Sequence, residues 1–293
     1  MSGATSATGL SSVVPGVPVV PVVPVVAGGV GGPEHRVLLS ARDLSIGWGK
    51  GGKRTVLASG ISFDIASGSL TALVGPNGSG KSTLLRTLLG MQDALAGHVS
   101  LDGDDPKRMG AEERSLRAAC VFTEKVDSGY FTVFDIVAFG RYPYTDARNR
   151  LGPEDLAKVE GALDAVGLRP FAGRRFAELS DGEKQKAQIA RAVAQDTGIL
   201  VFDEPTAFLD APSRIEVFHL VAKLAHDEGK AVVLCTHEVD LALRFADELW
   251  VFDRAHRFEA GNPAVVSHSG AIGRAFDLPG VHFDPASGSF KAR

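Results

Sequence analysis

One stretch of nine residues constrains this chain more than any other: Gly75-Pro76-Asn77-Gly78-Ser79-Gly80-Lys81-Ser82-Thr83. It follows the short apolar run 70–74 and precedes the leucine-rich segment 84–89, an order that predicts a strand, a loop and a helix. The spacing is G-x-x-x-x-G-K-[ST], which is typical of a loop that binds nucleotide phosphates. We therefore expect an α/β fold in which this loop joins a buried strand to a helix.

The residue types in this loop suit the binding of a nucleoside triphosphate. Glycines allow the backbone to turn its N–H groups inward, and the N-terminus of the following helix adds a partial positive charge. Lys81 can reach the β- and γ-phosphates, and the hydroxyl of Ser82 can ligate Mg²⁺. A glycine-rich turn with a chance Lys-Ser pair is the alternative, and the flanking strand and helix argue against it.

Length and charge narrow the classes of protein to which the chain can belong. Its 293 residues are enough for one large domain or two small ones. The net charge of -4 and the pI near 6.1 do not predict a basic surface for nucleic acid. No apolar run approaches the roughly 20 residues of a membrane span. Cys120 and Cys235 lie in apolar runs, so we interpret them as reduced core residues of a cytosolic protein.

Residues 1–36 differ in kind from the rest of the chain. Segment 17–26 repeats Pro-Val-Val, and a proline at every third position removes backbone donors and blocks a helix. No positive charge precedes the apolar residues, so the segment is a poor signal peptide. We predict a disordered arm rich in proline, valine and glycine. Its role stays open between a docking segment for a partner and a tail without function.

We predict that residues 37–293 form the folded domain. Segments 37–41, 44–46 and 61–65 have the apolar patterns of strands. Trp48 follows the second of these and precedes a glycine-rich turn. Its indole ring could stack on an adenine base, or it could simply pack in the core.

The stretch from about residue 105 to 178 changes character. Helical patterning at 111–119, 133–141 and 153–166 predicts an inserted, mostly helical subdomain. Near the C-terminus, residues 281–291 have the pattern of a β-hairpin with a glycine-containing turn. We expect both units to belong to the same folded domain as the phosphate loop.

A second motif, 179–185, precedes a helix that we expect from Lys186 to about Gln195. Ser180 suits the N-cap of that helix, and Glu183, three residues later, would complete a capping box. The capping role does not exclude a role in binding a ligand, because a well-capped helix N-terminus is also a site for anions.

Acidic residues and a histidine follow two further apolar runs. Asp203 and Glu204 come directly after 199–202, and His237 follows the run 231–235. Buried parallel strands have this composition, and their carboxyl ends face the ligand crevice. We expect Asp203 to hold Mg²⁺ and Glu204 to polarise the attacking water, with His237 close to the γ-phosphate.

In this order, the motifs resemble the ATP-binding subunit of ABC transporters over about residues 37–255. The signature-like segment 179–183 makes the resemblance specific, because a phosphate loop alone would indicate only a P-loop nucleotidase. Segment 207–210 looks like the family's D-loop, and His237 looks like its switch histidine. Trp48 falls at the family's adenine-stacking aromatic residue, which favours stacking over core packing.

The resemblance implies an α/β P-loop fold with a mixed sheet, an antiparallel β subdomain and an inserted helical subdomain. It implies ATP hydrolysis with Mg²⁺ in a head-to-tail homodimer, with each ATP between the phosphate loop of one subunit and the signature of the other. Transmembrane permease subunits would hold the protein at the cytoplasmic face of the membrane. A periplasmic or extracellular binding protein would act with it indirectly, and nucleic acid would have no part.

The same resemblance assigns a role to each candidate residue. Glu204 and His237 are the catalytic pair, and Ser82, Asp203 and Glu124 lie near the metal. The expected nucleotide contacts are Trp48, Gly75, Pro76, Asn77, Gly78, Ser79, Gly80, Lys81, Ser82, Thr83, and, towards the opposite subunit, Ser180 and Gly182.

Two positions depart from the family pattern. Asp181 stands where the signature usually has glycine, and an aspartate close to a phosphate is unfavourable by charge. Glu124 stands where the family has a loop glutamine, so a carboxylate replaces a neutral side chain. Phosphate oxygens repel this carboxylate and Mg²⁺ attracts it, so we expect Glu124 to approach the site only when Mg²⁺ and ATP are bound. A side chain that faces solvent in a loop is the alternative.

Segment 137–144 resembles importers of iron–siderophore complexes, haem and cobalamin, and segment 281–290 supports that subgroup less specifically. We expect the helical insert, including Arg141 to Tyr144, to receive the permease. An exporter subunit is one alternative, and a soluble ABC protein that acts on nucleic acid or the ribosome is another. The sequence does not identify the cargo, because the permease and the binding protein select it.

Overall fold

The computed structural model describes residues 36–49, 54–122, 129–146, 148–207 and 209–292. The predicted N-terminal arm, apart from Arg36, lies outside these residues, and so does Glu124. Within them the strands are, in chain order, β1 (Val37–Trp48), β2 (Thr55–Ala66), β3 (Ser69–Val74), β4 (Ala96–Leu101), β5 (Ala118–Val121), β6 (Ile199–Asp203), β7 (Ala231–Cys235), β8 (Glu248–Phe252), β9 (Phe258–Gly261), β10 (Val281–Asp284) and β11 (Ser289–Ala292).

The helices of the described residues are mostly short. Five of them span only six or seven residues. Their bounds are α1 (Lys81–Leu88), α2 (Ala111–Arg117), α3 (Val133–Ala138), α4 (Pro153–Ala165), α5 (Asp181–Ala194), α6 (Ala211–His226), α7 (Val239–Phe245), α8 (Pro263–His268) and α9 (Ala271–Phe276).

A six-stranded sheet in the order β5-β6-β7-β3-β8-β9 organises the core. Neighbouring strands run parallel except β8 and β9, so the sheet is mixed, as the family resemblance implies. Every residue of β6 and β7 is buried, which explains why their sequences are continuous apolar runs. Because β3, β6 and β7 are parallel neighbours, their carboxyl ends meet at one edge of the sheet.

A separate antiparallel sheet in the order β2-β1-β4 packs on α1. The sequence predicts two strands at 37–41 and 44–46, but the structure has a single strand, β1, with an irregular register between them. Asp43 lies in that irregular segment with a left-handed φ of 47°. The bulge interrupts the apolar pattern without ending the strand, which is why one strand has the sequence pattern of two.

The helical segment is built on α3, α4 and α5, which pack against one another. Two details differ from the predicted helices: α2 ends at Arg117, and residues 118–121 form β5, which pairs with β6 at the edge of the central sheet. The helix predicted over 133–141 is α3 followed by a 3₁₀ segment, Phe139–Tyr144, which contains Pro143. The limits 105–178 for an inserted subdomain therefore stay a prediction.

Arg141 lies inside the helical segment and not on its surface. It is 4% exposed, its Nε donates to Asp155 at 2.9 Å, and its Nη1 donates to the backbone oxygen of Ala194 at 2.9 Å. Its guanidinium also lies 3.9 Å from the centre of the Tyr144 ring. The expectation that Arg141 contacts a permease is therefore wrong, because these contacts tie α4, α5 and the 3₁₀ segment together.

Asp196 joins the helical segment to the sheet. It follows α5 with a left-handed φ of 56°. Its carboxylate pairs with Lys158 of α4 at 2.7 Å and with Lys230, which precedes β7, at 3.0 Å.

The C-terminal strands β10 and β11 pair antiparallel, with Phe283 opposite Phe290. Phe290 also contacts Phe276 of α9. Among the described residues, no helix is both long enough and apolar enough to cross a membrane.

Candidate nucleotide site

The phosphate loop lies between the end of β3 and the start of α1, as its sequence predicts. Gly80 caps α1 with a φ of 114°, a conformation that favours glycine, and its backbone oxygen accepts from Leu84 N at 2.8 Å. At Gly75 a Cβ atom would lie 2.7 Å from the backbone oxygen of Phe252 and 2.9 Å from Ser79 Oγ. Glycine at this position therefore lets the loop pass against the end of β8.

Lys81 is held within the loop. It is 5% exposed, and its Nζ donates to the backbone oxygens of Gly75 at 2.8 Å and Pro76 at 3.2 Å. The same nitrogen lies 3.9 Å from Glu204 Oε1. The loop therefore places a buried cation at the edge of the sheet where the carboxylates end.

The donors of the loop fit a polyphosphate. Ser79 is 3% exposed, and its Oγ makes no hydrogen bond to any of the described residues. A buried hydroxyl without a partner is costly, and an anion bound at the loop would accept a hydrogen bond from it. The first N–H groups of α1 have no acceptors within the helix and carry partial positive charge. Together with the ammonium group of Lys81, these N–H groups offer only hydrogen-bond donors to a ligand.

Ser82 and Asp203 bring together oxygen atoms that could hold a metal ion. Ser82 Oγ donates to Asp203 Oδ2 at 2.8 Å, and Asp203 is 7% exposed at the end of β6. Ligand atoms of Asp203, Glu204 and Cys235 all lie within 4.8 Å of one another. Burial raises the pKa of the Cys235 thiol well above its ordinary value, and the charge of Asp203 adds to that effect. The thiol is therefore neutral, and the oxygens that remain suit a hard cation such as Mg²⁺.

Glu204 and His237 form a close pair. His237 Nε2 lies 2.6 Å from Glu204 Oε1. Glu204 has a left-handed φ of 55°, and its N–H donates to the backbone oxygen of Cys235 at 2.9 Å. The turn after β6 is thus tied to the end of β7, and the two side chains predicted to share the chemistry are brought together.

A pair that the sequence analysis missed supports this turn. Arg214, in the first turns of α6, donates from Nη1 to Glu238 at 2.8 Å and from Nε to the backbone oxygen of Leu209 at 2.9 Å. It thereby connects the D-loop-like segment with the residue after His237. The only signal in the sequence is a charge on each segment, and such charges are common at helix starts.

Ser180 forms the predicted capping box at the start of α5. Its Oγ accepts from Glu183 N at 3.3 Å and donates to Glu183 Oε2, which also accepts from Ser180 N, both at 2.8 Å. These hydrogen bonds lower the pKa of Glu183. Asp181 faces solvent 3.7 Å from Lys184. A Cβ at Gly182 would lie 3.2 Å from the side chain of Leu209, so α5 begins against the D-loop-like segment.

The structure brings five of the candidate residues into one group and leaves Ser180 apart from it. Lys81, Ser82, Asp203, Glu204 and His237 are joined by direct contacts. Among the described residues, the side-chain hydrogen bonds of Ser180 stay within its own helix and do not reach this group.

Trp48 ends β1 and is 54% exposed. The exposure of its side chain excludes the core-packing alternative. Stacking on adenine stays a prediction.

Known proteins resemble this chain over most of its length. The ABC transporter family model matches residues 58–207. An uncharacterized ABC transporter ATP-binding protein of Methanocaldococcus jannaschii is 36% identical over 256 residues, which are 87% of this chain and 87% of that protein. The ferric enterobactin transport ATP-binding protein FepC of Escherichia coli is 32% identical over 252 residues, which are 86% of this chain and 92% of FepC.

Solved structures agree with these relatives. A chain from the inward-facing conformation of a metal-chelate type ABC transporter superimposes with a TM-score of 0.72 at 26% identity. The superposition covers 87% of this chain and 96% of that chain. The predicted fold class is therefore confirmed.

Proposed function

Because this chain belongs to the ABC transporter family and is an ATPase of that family, we propose that it powers an importer for an iron complex, haem or a cobalamin-like compound. The observation that carries the ATP-hydrolysis part of the proposal is the contact of Lys81 and His237 with one carboxylate, Glu204, beside the Ser82–Asp203 pair. The function of FepC, ferric enterobactin transport, supports an iron complex as cargo.

In the proposed reaction ATP and water give ADP and phosphate. Glu204 accepts a proton from the attacking water, and His237 holds the carboxylate in place from 2.6 Å. Lys81, released from the carbonyls of Gly75 and Pro76, faces the β- and γ-phosphates. Mg²⁺ would neutralise charge on the phosphate oxygens, and Ser82 and Asp203 would hold it. Glu124 would complete this site when ATP is bound.

We further propose a head-to-tail homodimer. Ser180 lies at the start of α5, a helix of 14 residues, and its side chain makes no hydrogen bond to the catalytic group of its own subunit among the described residues. A helix N-terminus favours an anion, so the phosphates of a second subunit would suit it. Asp181 would point away, since its side chain pairs with Lys184.

Subunit mixing tests this arrangement. Ser180→Arg subunits and Lys81→Ala subunits each form dimers with two defective sites. A mixed dimer has one composite site in which both residues are intact, so ATPase activity of the mixture should exceed that of either parent. In the control, Ser180→Arg is mixed with the double variant Lys81→Ala/Ser180→Arg, which cannot form an intact site. A mixture that is no more active than its parents would contradict head-to-tail pairing.

We propose that transmembrane permease subunits dock on the helical segment and hold the protein at the cytoplasmic face of the membrane. An open cleft of about 590 Å³ lies between α2 and the 3₁₀ segment. Tyr142 lines it and is 64% exposed, so an aromatic side chain is free for a partner. A periplasmic or extracellular binding protein would deliver cargo to the permease without touching this chain.

Tyr142→Ser should reduce transport while ATPase activity of the isolated protein stays near that of the parent. The substitution removes an exposed anchor and leaves the buried contacts of Arg141 in place. Val265→Ser, which changes an apolar residue of α8 that is 68% exposed, is the matched control. Crosslinks from position 142 to a permease loop should form in membranes. Normal transport in Tyr142→Ser together with no crosslink would place the coupling surface elsewhere.

Uptake measurements test the importer function itself. Source cells that lack this chain should lose uptake of labelled ferric siderophore, haem or cobalamin. The parental chain should restore that uptake, and Glu204→Gln should not. If uptake of all three cargoes persists, the importer proposal is wrong. Stimulation of the ATPase by RNA would then favour the alternative of a soluble ABC protein that acts on nucleic acid.

A further inference from the structure

The turn between β8 and β9 reaches the phosphate loop from outside. Nδ1 of His256, in this turn, lies 3.0 Å from the backbone oxygen of Ser79. A carbonyl oxygen can only accept, so Nδ1 carries a proton and donates it. A side chain outside all the nucleotide motifs therefore holds the backbone of the loop.

His256 makes this contact from an unfavourable backbone conformation. Its φ is 60°, in the left-handed region that residues with a Cβ rarely adopt. Asp253, which is 2% exposed, holds the turn in place. Its Oδ1 accepts from Ala255 N at 2.8 Å and Arg257 N at 3.0 Å, and its Oδ2 accepts from Arg257 Nε at 2.6 Å. Such a conformation persists only where the surroundings impose it, and sites of this kind are often functional.

The bond to Ser79 has a consequence for the next residue. No cis peptide bond occurs in the described residues, so the carbonyl of Ser79 and the N–H of Gly80 lie in one peptide plane and point in opposite directions. His256 holds the carbonyl on the outside of the loop. The N–H of Gly80 is therefore directed to the inside, where Lys81 and the unpartnered hydroxyl of Ser79 also lie.

We infer that His256 is a positioning residue for nucleotide binding, because its bond to Ser79 O aims the N–H of Gly80 at the phosphates. The inference rests on the proposal that ATP binds at this loop. His256 acts through the backbone and does not itself touch the nucleotide.

Substitutions of His256 distinguish the effect of the hydrogen bond to Ser79 from the effect of the strained backbone. His256→Gly removes the ring and relieves the left-handed strain, so the melting temperature without nucleotide should stay the same or rise. The dissociation constant for ATP with Mg²⁺ should rise about two- to tenfold, the effect of one hydrogen bond. Asp43→Gly, which relieves the same kind of strain at φ 47° in β1, should leave the dissociation constant unchanged.

A second variant excludes added flexibility as the cause. Asparagine tolerates the left-handed region, but its shorter side chain does not reach Ser79 O as the imidazole does. His256→Asn should therefore weaken ATP binding as His256→Gly does. If His256→Asn binds ATP like the parent, or if both variants do, the inference is wrong.

Nitrogen NMR of the nucleotide-free protein gives a readout that does not depend on ATP. The His256 ring, assigned by its absence in His256→Asn, should carry its proton on Nδ1. A neutral ring protonated on Nε2 alone would overturn the inference. If Lys81→Met loses ATP affinity while both His256 variants keep it, the role of His256 fails and the proposed site stands. If Lys81→Met also binds ATP normally, the proposed site itself fails.

Discussion

Glu204→Gln is expected to bind ATP normally and to lose about two to four decades of turnover, the usual contribution of a positioned acid–base group. Glutamine keeps the shape of the side chain and can still meet His237 at the 2.6 Å contact, but it cannot accept the proton of the attacking water. The backbone bond from Glu204 N to Cys235 O does not involve the side chain and should persist.

Steady-state ATPase rates and size-exclusion chromatography with ATP measure this effect. The variant should accumulate as an ATP-bound dimer, because in the proposed cycle hydrolysis is the step that lets the dimer open. Glu228→Gln is the matched control, since Glu228 is an exposed acid after the end of α6 and should turn over like the parent. Hydrolysis by Glu204→Gln at the parental rate would remove Glu204 from the mechanism.

Lys81→Met should weaken ATP binding by about one to two decades, since a charge-assisted hydrogen bond contributes about 1.5–3 kcal/mol. Methionine fills nearly the same buried space, so the loss reports the ammonium group and not a cavity. Among the described residues, Lys81 Nζ donates hydrogen bonds to two carbonyls of its own loop, and its contact with Glu204 is longer, at 3.9 Å, so the melting temperature should change little.

Equilibrium titration with labelled nucleotide and thermal melting give both quantities for the same samples. Lys223→Met, at an exposed position of α6, controls for the removal of a lysine charge elsewhere. An ATP affinity equal to that of the parent would show that Lys81 does not bind the phosphates.

Features that depend on neighbours in sequence could be predicted here. The phosphate loop, the capping box of Ser180 and Glu183, and the buried strands before Asp203 and His237 all follow from local patterns. Their environments are set largely by residues within a few positions.

Features that depend on packing between distant residues could not be predicted from the sequence. Arg141 follows a glycine in a polar and aromatic segment, which is typical of a surface. Contacts with Asp155 of α4 and Ala194 of α5 nevertheless bury it. The same limit applies to Arg214 and His256, whose partners lie 24 and 177 residues away in sequence. The distance of such partners along the chain hides the contact from any local pattern.

Asp196 makes the connection between the helical segment and the sheet an electrostatic one. Burial alone would raise the pKa of Asp196, but hydrogen bonds from Lys158 and Lys230 outweigh it and lower the pKa below its ordinary value of 3.8. The stabilisation is therefore complete above that value and is lost only as the pH falls through the lowered pKa. Because these side chains are partly exposed, salt screens them. A rise in ionic strength should therefore weaken these ion pairs, whereas acidification that stays above pH 3.8 should leave them intact.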